Sequence, residues 1–310
     1  MPPCRANERG EERRVGFEFE MTGLSTEKMA RIVADVFGGR VEIEDRFHAR
    51  VTGTPWGKFS VEVDAQILQD QKYLEYLEKL GLDIFDSGAW EWLEKALERV
   101  ANLAVPYEIS TPPLPLSRLG EMERLRAALQ ARHAEGTKAN VLYAFGMHLN
   151  PEMPARNIGT ALAFLQSFLV CAPWLMQEIK VDFTRRLAPF IRPFPDNYVE
   201  RILALDYGEE KRVIPDYLEH NPTRNRPLDM LPIFALFDEK AVKAAIPEGE
   251  QVQARPAFHY RLPDCRLDEP EWRVATDWNR WVKIEALACA PVELHKLRAE
   301  YLAEKEKSIL

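Results

Sequence analysis

The 310-residue sequence predicts an α+β fold built on a largely antiparallel sheet, with helices packed on one face of that sheet. Three observations predict this fold class. Most segments in which apolar and polar residues alternate lie in the first half of the chain, and some follow one another across short turns. Segments with helical spacing dominate the second half. Strands and helices do not alternate regularly, as a parallel, doubly wound sheet would require.

The first predicted elements form the beginning of the sheet. A strand covers residues 15–21, in which apolar and polar side chains alternate without a break. A helix follows, with Ser25 as its N-terminal cap and Gly38 after its last turn. Further strands are predicted at residues 46–52, 58–64 and 107–111, the first two joined by a turn and the third ended by two prolines.

The later elements are mainly helical. The apolar segment 157–178 predicts a long core helix, because its longest apolar stretch, residues 161–176, is too short to span a bilayer. The other predicted elements are helices at 90–103, 116–133, 271–288 and 291–305, helices starting at 197, 209, 229 and 238, and strands at 141–150 and 257–262.

Composition and charge limit the organisation and the partners of the chain. Residues 1–13 are polar and predict a flexible N-terminus, and residues 14–310 predict a single catalytic domain with a mostly helical second half. The net charge of -8 argues against nucleic acid or an anionic membrane as partner. No apolar signal follows the N-terminus, and the four cysteines are far apart in sequence, so we expect a reduced, cytoplasmic protein. The sequence predicts no oligomeric state.

Polar side chains pair on the same face of five predicted strands. Residues i and i+2 of a strand share a face, so each strand contributes two neighbouring polar groups. The pairs are Glu18 with Glu20, Glu62 with Asp64, Glu108 with Ser110, His148 with Asn150, and His259 with Arg261. If these strands join one sheet, its polar face collects five carboxylates, two histidines, an amide and an arginine.

This polar face is typical of either a solvated sheet surface or a metal site. A solvated face normally mixes cations with anions, whereas the carboxylate-bearing pairs have one sign. Two carboxylates ~5 Å apart repel by ~3 kcal/mol at an effective dielectric of ~20. Five of them require cations nearby or strongly raised pKa values, and carboxylates joined by His and Asn suit Mg²⁺ or Mn²⁺. The residues therefore favour a divalent-metal site.

Arginines supply candidate partners for phosphate, the natural substrate group for such a metal. The candidates are Arg261, Arg224, Arg226, Arg185, Arg186 and Arg192. Arg261 stands out because it shares the polar face, whereas a surface or ion-pair role is the simpler explanation for each of the others. The proline-flanked segment 220–227 is a candidate mobile lid, with an ordinary connecting loop as the alternative.

The ordered motifs of the chain resemble those of the amidoligase family, which is related to glutamine synthetase and glutamate–cysteine ligase. They are VGFEFEMTG, SVEVDAQ, YEISTPPL, FGMHLNPE, NPTRNRPLDMLP, FHYRLPD and EWRVATDWNRWVKIEALA, and they cover nearly the whole chain. The resemblance implies a catalytic domain like that of glutamine synthetase, with a concave active-site face on the sheet. It also implies ATP, two or three divalent metals, and an acyl phosphate made from a carboxylate and attacked by an amine.

The resemblance also implies roles for individual residues. Glu18 and Glu20 correspond to the ExE metal ligands, and Asp64, Glu108 and His148 to later acidic and histidine motif positions. Together with Glu62, the predicted metal ligands are Glu18, Glu20, Glu62, Asp64, Glu108 and His148. Arg261 corresponds to a late-strand arginine. The predicted catalytic residues are Arg261, Arg224 and Arg226, and the predicted cofactor contacts are Arg261, His259, Ser110 and Asn150. The chain departs from the family pattern at Gln66, Asn150 and His259.

Three functions are consistent with the sequence. The first is an ATP- and Mg²⁺-dependent ligase that joins a small-molecule or peptide carboxylate to an amine. The second is a nucleotide- or partner-binding protein with a degenerate ligase site. The third is a glycoside hydrolase, which would use a carboxylate pair ~5–10 Å apart and no metal. The sequence does not identify the acid, the amine or the general base, since specificity lies in loops that carry no local pattern.

Overall fold

The computed structural model describes residues 1–63, 107–132, 145–179, 192–206, 208–247 and 252–309. Within these ranges the chain forms helices and one antiparallel sheet, which confirms the predicted α+β class. The predicted helix at 90–103 lies outside the described residues, as do Asp64, Gln66, Arg185 and Arg186.

Nine strands form the sheet of the described residues. They are β1 (Arg14–Met21), β2 (Arg40–Ile43), β3 (His48–Thr54), β4 (Gly57–Val63), β5 (Tyr107–Ser110), β6 (Leu114–Pro115), β7 (Met147–Pro151), β8 (Leu228–Asp229) and β9 (His259–Tyr260). Their order is β2-β3-β4-β5-β1-β7-β9-β8, and β6 pairs with the start of β1. Every pairing is antiparallel, and β1 lies between β5 and β7 in the middle of the sheet.

The helices of the described residues lie mainly in the second half. They are α1 (Thr26–Phe37), α2 (Gly120–Ala131), α3 (Ile158–Ile179), α4 (Asp196–Leu203), α5 (Val213–His220), α6 (Leu231–Phe234), α7 (Glu239–Ala245), α8 (Val274–Ala288) and α9 (Pro291–Ile309). Short 3-10 turns at Leu116–Arg118 and Glu210–Arg212 precede α2 and α5. As predicted, Ser25 caps α1: its Oγ accepts a hydrogen bond from the backbone N–H of Lys28 at 3.4 Å.

The apolar face of the sheet forms the core. Phe19 of β1 pairs with Ile109 of β5, which in turn pairs with Val61 of β4, and Phe17 pairs with Leu149 of β7. All five side chains are buried. Helix α1 packs on β3 and β4, and α3 packs against α8 and α9. Because the apolar residues take every second position, the polar residues between them are directed to the opposite face.

Helix α3 is the one described helix that is long and apolar enough to cross a membrane. The share of its most apolar window buried inside the protein is 56%. A buried core helix has the same length and composition, so this observation by itself is weak support for a membrane span. Its packing against α8 and α9 agrees with the predicted core helix.

Several element boundaries differ from the predictions. The strand predicted at 46–52 begins two residues later, at His48, because Asp45 accepts hydrogen bonds from the backbone of Phe47 and His48 in a turn. Strand β2 is absent from the predictions although its residues alternate between polar and apolar types, and none of the four is buried. The helix predicted to start at 229 begins instead at Leu231, after the two-residue strand β8.

The first 13 residues, predicted to be a flexible terminus, pack against the domain through Arg13. The Arg13 guanidinium is buried and forms two 2.8 Å contacts with the carboxylate of Glu285 on α8. It also donates hydrogen bonds to the carbonyl oxygens of Cys4 and Glu152. Although Cys4 and Cys289 are 285 residues apart, their sulfur atoms lie 3.1 Å from each other and both thiols are free.

Gly39 lets the chain turn from α1 into β2. Its φ is +94°, and an added Cβ would lie 2.5 Å from the carbonyl oxygen of Thr52. We expect Gly39→Ala to lower the free energy of unfolding by at least about 2 kcal/mol, since backbone strain of this kind costs about 1–3 kcal/mol before any clash. Urea unfolding measures the change. Gly120→Ala is the matched control, because Gly120 has neither a positive φ nor a neighbour within 4 Å, and an unchanged Gly39→Ala protein would contradict this account.

Candidate metal centre

Strand register brings the predicted ligands together across the polar face. Glu18 of β1 pairs with Ser110 of β5 on one side and with His148 of β7 on the other. Glu20, two residues further along β1, pairs with Glu108 of β5. Directly opposed side chains on one face have Cβ atoms about 4.5–5.5 Å apart, so these groups are within reach of one another.

Three carboxylates lie in one row across the sheet. Glu62 of β4 pairs with Glu108 of β5, which pairs with Glu20 of β1. Glu20 is buried and Glu108 half-buried, whereas Glu62 is exposed. Like charges in directly opposed positions destabilise a sheet. This row therefore costs stability unless cations are bound beside it.

His148 lies between the two carboxylates of β1. Its Nδ1 atom is 2.7 Å from Oε2 of Glu18, and its Nε2 atom is 3.1 Å from Oε1 of Glu20. Burial lowers the pKa of His148 despite the opposing effect of both glutamates, which favours the neutral imidazole. A neutral imidazole carries a single N–H group. In that form, one of the two contacts places a ring lone pair against a carboxylate, an arrangement that a bound cation would relieve.

His259 extends the cluster to the end of the sheet. Its Nε2 atom lies 3.4 Å from Oε2 of Glu18 and has no hydrogen-bond partner among the described residues, although the side chain is only 3% exposed. Its Nδ1 atom is 3.0 Å from Oδ2 of Asp229, the residue that pairs with it on β8. Asp229 therefore orients His259 with one nitrogen directed at Glu18.

The acidic members of this network are held in their charged form. Burial opposes ionisation of Glu18, but the charge interaction with His259 and the hydrogen bond with His148 hold the pKa of Glu18 well below its usual value. Burial likewise opposes ionisation of Asp229, while its hydrogen bond and charge interaction with His259 lower its pKa. Carboxylates in this state are available as cation ligands at neutral pH.

Two groups of side chains among the described residues can hold a metal ion. Glu18, His148 and His259 form the first, and Glu20, Glu108 and His148 form the second. Within each group the ligand atoms lie within 4.8 Å of one another. Their carboxylate oxygens suit Mg²⁺ or Mn²⁺, and the unpartnered nitrogen of His259 offers a further ligand atom. We refer to these five residues as the ligand cluster.

Of the remaining predicted metal and cofactor residues, those that the structure describes lie around the ligand cluster. Glu62 is in neither candidate group, and Asp64 is outside the described residues. Ser110 donates a hydrogen bond from its Oγ to Oε1 of Glu108. Asn150 donates from Nδ2 to Oε1 of Glu18 at 2.8 Å. Ser110 and Asn150 thus hold carboxylate oxygens of the cluster in place.

The three predicted catalytic arginines occupy different surroundings. Arg261 is buried and donates hydrogen bonds to the carbonyl oxygen of Arg224 and to Oδ1 of Asn225. Arg224 lies 3.4 Å from Asp229, through its Nε atom, and so belongs to the network behind His259. Arg226 directs its guanidinium to carbonyl oxygens, those of Pro193 and His220 among them. These contacts suit Arg226 to positioning its own loop.

The predicted lid, residues 220–227, is tied to its surroundings in this conformation. The N–H of Arg192 donates to the carbonyl of Asn225 at 2.7 Å, and the N–H of Arg261 donates to that of Pro227 at 2.8 Å. Asn221 is fully buried. Opening of this segment would break these hydrogen bonds, and its role as a lid stays a prediction.

Two residues of the site had no functional assignment from the sequence. Asp229 resembles a helix start, and it does accept the N–H of Leu231 through Oδ1, but its other oxygen contacts His259. Arg255 lies in no strand. Its Nη2 atom is 3.2 Å from Oδ1 of Asn150 and 3.9 Å from Oε1 of Glu18. The position of Asp229 two residues before a helix was a usable signal, whereas Arg255 carries none.

Replacing Asp229 tests whether His259 acts as a ligand. We expect Asp229→Asn to weaken Mn²⁺ binding about 10–100-fold, the usual cost of removing the group that orients a metal-bound histidine. Isothermal titration calorimetry with Mn²⁺ measures the affinity. Asp238→Asn is the matched control, since Asp238 caps α7 and has no contact with the cluster. Equal affinities for both variants and the parent protein would show that His259 is no ligand.

Comparison with known proteins identifies the family. Residues 11–283 match the family model described as "putative amidoligase enzyme". No curated protein and no solved structure matches the chain. The family match runs from the segment before β1 into α8, so it includes every residue of the ligand cluster. It confirms the resemblance found in the sequence motifs. The chain therefore belongs to the putative amidoligase enzyme family and is a ligase-type enzyme.

Proposed function

We propose that this enzyme is an ATP- and Mg²⁺-dependent carboxylate–amine ligase that forms an amide through an acyl-phosphate intermediate. The observation that carries the proposal is the ligand cluster itself. Its carboxylates and imidazoles converge on one face of the sheet, and His259 keeps an unpartnered nitrogen directed at Glu18. The family match supports the ligase part of the proposal.

The residues of the cluster fit divalent cations. Glu18, His148 and His259 would hold one ion, and Glu20, Glu108 and His148 surround a second position. Bound Mg²⁺ would neutralise phosphate charge and allow a substrate carboxylate to approach the γ-phosphate of ATP. Asn150 and Ser110 keep the oxygens of Glu18 and Glu108 in position for the ions, through the hydrogen bonds that they donate.

Arginines near the cluster would stabilise the phosphate oxygens during transfer. In this proposal Arg261, two residues after His259, and Arg224, beside Asp229, would donate to those oxygens. Arg226 positions the 220–227 segment through its carbonyl contacts. The acyl phosphate must be protected from water until the amine attacks, and closure of that segment is our candidate mechanism for protection.

Two measurements test the proposed function. Calorimetry should detect binding of a non-hydrolysable ATP analogue that depends on Mg²⁺, because the carboxylates of the cluster repel the phosphates when no cation is bound. Hydroxylamine, supplied with ATP, Mg²⁺ and a mixture of carboxylic acids, should trap an acyl phosphate as a hydroxamate. Binding of the analogue that is equally strong in EDTA would overturn the proposal.

The same measurements separate the alternatives. A degenerate binding protein would bind the nucleotide with Mg²⁺ but release no ADP with any acid and amine. A glycoside hydrolase would bind neither the nucleotide nor the metal and would act on glycosides in EDTA. The convergence of His148 with two carboxylates, at 2.7 and 3.1 Å, supports the ligase, since these groups would serve as cation ligands.

A further inference from the structure

A cavity of about 700 Å³ lies beside the ligand cluster, over the start of β1. On the polar face of β1, Arg14 and Gly16 precede Glu18 and Glu20. Arg14, Gly16 and Glu18 line the cavity, whereas Glu20 does not. Its volume lies within the range of small-molecule sites. The cavity therefore extends from Glu18, the member of the ligand cluster in its lining, to Arg14 at the start of β1.

Gly16 forms part of the cavity lining without a structural need for glycine. Its φ is not in the left-handed region, and an added Cβ would lie 3.5 Å from Cβ of Asn150, an ordinary contact. Glycine in a strand costs roughly 0.5–1 kcal/mol relative to alanine. The bare backbone at this position leaves room for a ligand between Arg14 and Glu18.

The carboxylates at the far side of the cavity already have donors. Glu12 accepts hydrogen bonds from the N–H and hydroxyl of Ser117, and Glu152 accepts from Asn7 and from the N–H of Arg14. Glu11 accepts from Asn7 and lies 3.6 Å from the guanidinium of Arg9. These groups form walls of the cavity, and their oxygens already accept hydrogen bonds.

Two guanidinium groups, by contrast, retain donors that face the cavity. Among the described residues, Arg14 forms no ion pair, and its guanidinium reaches the carbonyl of Pro113 only at 3.5 Å. The Arg255 guanidinium donates a hydrogen bond to Oδ1 of Asn150 and lies 3.9 Å from the carboxylate of Glu18. Each guanidinium carries five N–H groups. The cavity lining therefore holds two guanidinium groups: Arg14 lies two positions from Gly16 on β1, and Arg255 contacts Asn150, the residue that pairs with Gly16.

We propose that this cavity binds the acid substrate, and that this substrate is a peptide-sized molecule with two carboxylates. Arg255 holds the carboxylate to be activated, next to Glu18, and Arg14 holds the distal carboxylate. The Cα atoms of residues 14 and 18 are ~13 Å apart along an extended strand, at ~3.3 Å per residue. A span of this length suits a short peptide better than a free amino acid. The assignment of this cavity to an acid substrate rests on the proposed function.

A ladder of ligands tests the assignment by direct binding. Succinate, succinyl-glycine and succinyl-diglycine place two carboxylates at increasing separation, and an extended residue adds up to about 3.3–3.6 Å. We expect one of the two longer ligands to bind at least about tenfold more tightly than succinate. It should also bind at least about tenfold more tightly than the same ligand with its C-terminal carboxylate replaced by a carboxamide. A tenfold difference corresponds to the contribution of one charge-assisted hydrogen bond. Calorimetry in the presence of Mg²⁺ and the ATP analogue measures each affinity.

Variants locate the distal contact. Arg14→Met should remove the advantage of the dicarboxylate over its carboxamide, and Arg14→Lys should restore part of it. Arg156→Met, an exposed arginine paired with Glu8, is the matched charge control and should leave every affinity unchanged. Arg14 is itself exposed, so we expect its variants to keep the melting temperature of the parent protein.

The outcomes distinguish this inference from the proposed function. Mg²⁺-dependent nucleotide binding without any length preference among the succinyl ligands would overturn the inference and leave the ligase proposal intact. A length preference lost in Arg14→Met, with nucleotide binding that ignores Mg²⁺, would support the two-carboxylate site and overturn the ligase proposal. A dicarboxylate advantage that persists in Arg14→Met would also overturn the inference.

Discussion

Glu18→Gln is expected to abolish Mg²⁺-dependent nucleotide binding. Glu18 contacts both histidines of the cluster, and its low pKa keeps it ionised at neutral pH. The amide keeps the shape of the side chain but removes the charge and one acceptor. The affinity for the ATP analogue with Mg²⁺ should fall by more than about 100-fold, because loss of a group that only supports a metal ligand costs about 10–100-fold. Calorimetry with and without Mg²⁺ gives the ratio.

Glu42→Gln is the control for this substitution. Glu42 lies on the edge strand β2 of the same sheet and pairs with Arg40, so the change removes an equal charge outside the cluster. The control should bind nucleotide as the parent protein does. If Glu18→Gln retains the Mg²⁺ dependence of the parent protein, Glu18 is no metal ligand and the site must be reassigned.

Loss of Glu285 should destabilise the protein by about 3–5 kcal/mol, the typical cost of leaving one member of a buried ion pair unpaired. Its carboxylate binds the Arg13 guanidinium through two contacts and also accepts the indole N–H of Trp281 at 2.6 Å. Glu285→Gln leaves the Arg13 charge buried without compensation. Urea unfolding, compared with the parent protein, gives the difference in free energy of unfolding.

Two companion variants define the origin of that loss. Arg13→Met combined with Glu285→Leu removes both charges, so the double variant should be more stable than Glu285→Gln alone. Glu27→Gln breaks an exposed i,i+4 pair with Arg31 and should cost less than about 1 kcal/mol. Equal stability losses in Glu285→Gln and Glu27→Gln would contradict a structural role for the buried pair.

The sequence predicted the parts of the fold that have local patterns. The alternation in β1, β4 and β5 and the helical spacing of α3, α8 and α9 identified these elements. Strands β6 and β8 have two residues each, too few for a period to be visible. The order of the strands was not predictable, since the pairing of β1 with both β5 and β7 depends on contacts between distant segments.

The residues of the candidate site were predictable where they lie on predicted strands. Residues at alternate positions of one strand share a face, so Glu18 could be grouped with Glu20, whereas grouping them with His148 required the assumption that the two strands join one sheet. The contacts of loop residues could not be predicted from the sequence. Arg226 matches a phosphate ligand by residue type, yet its donors go to main-chain carbonyls, and Arg255 reaches Asn150 from a segment without regular structure.

Anomalous diffraction from a crystal grown with Mn²⁺ and the ATP analogue would test the ligand cluster most directly. Our account predicts a manganese peak bound by Glu18, His148 and His259, and a second beside Glu20 and Glu108, with the analogue's phosphates completing the coordination. Manganese bound only at surface carboxylates, with His148 still held between Glu18 and Glu20, would contradict it.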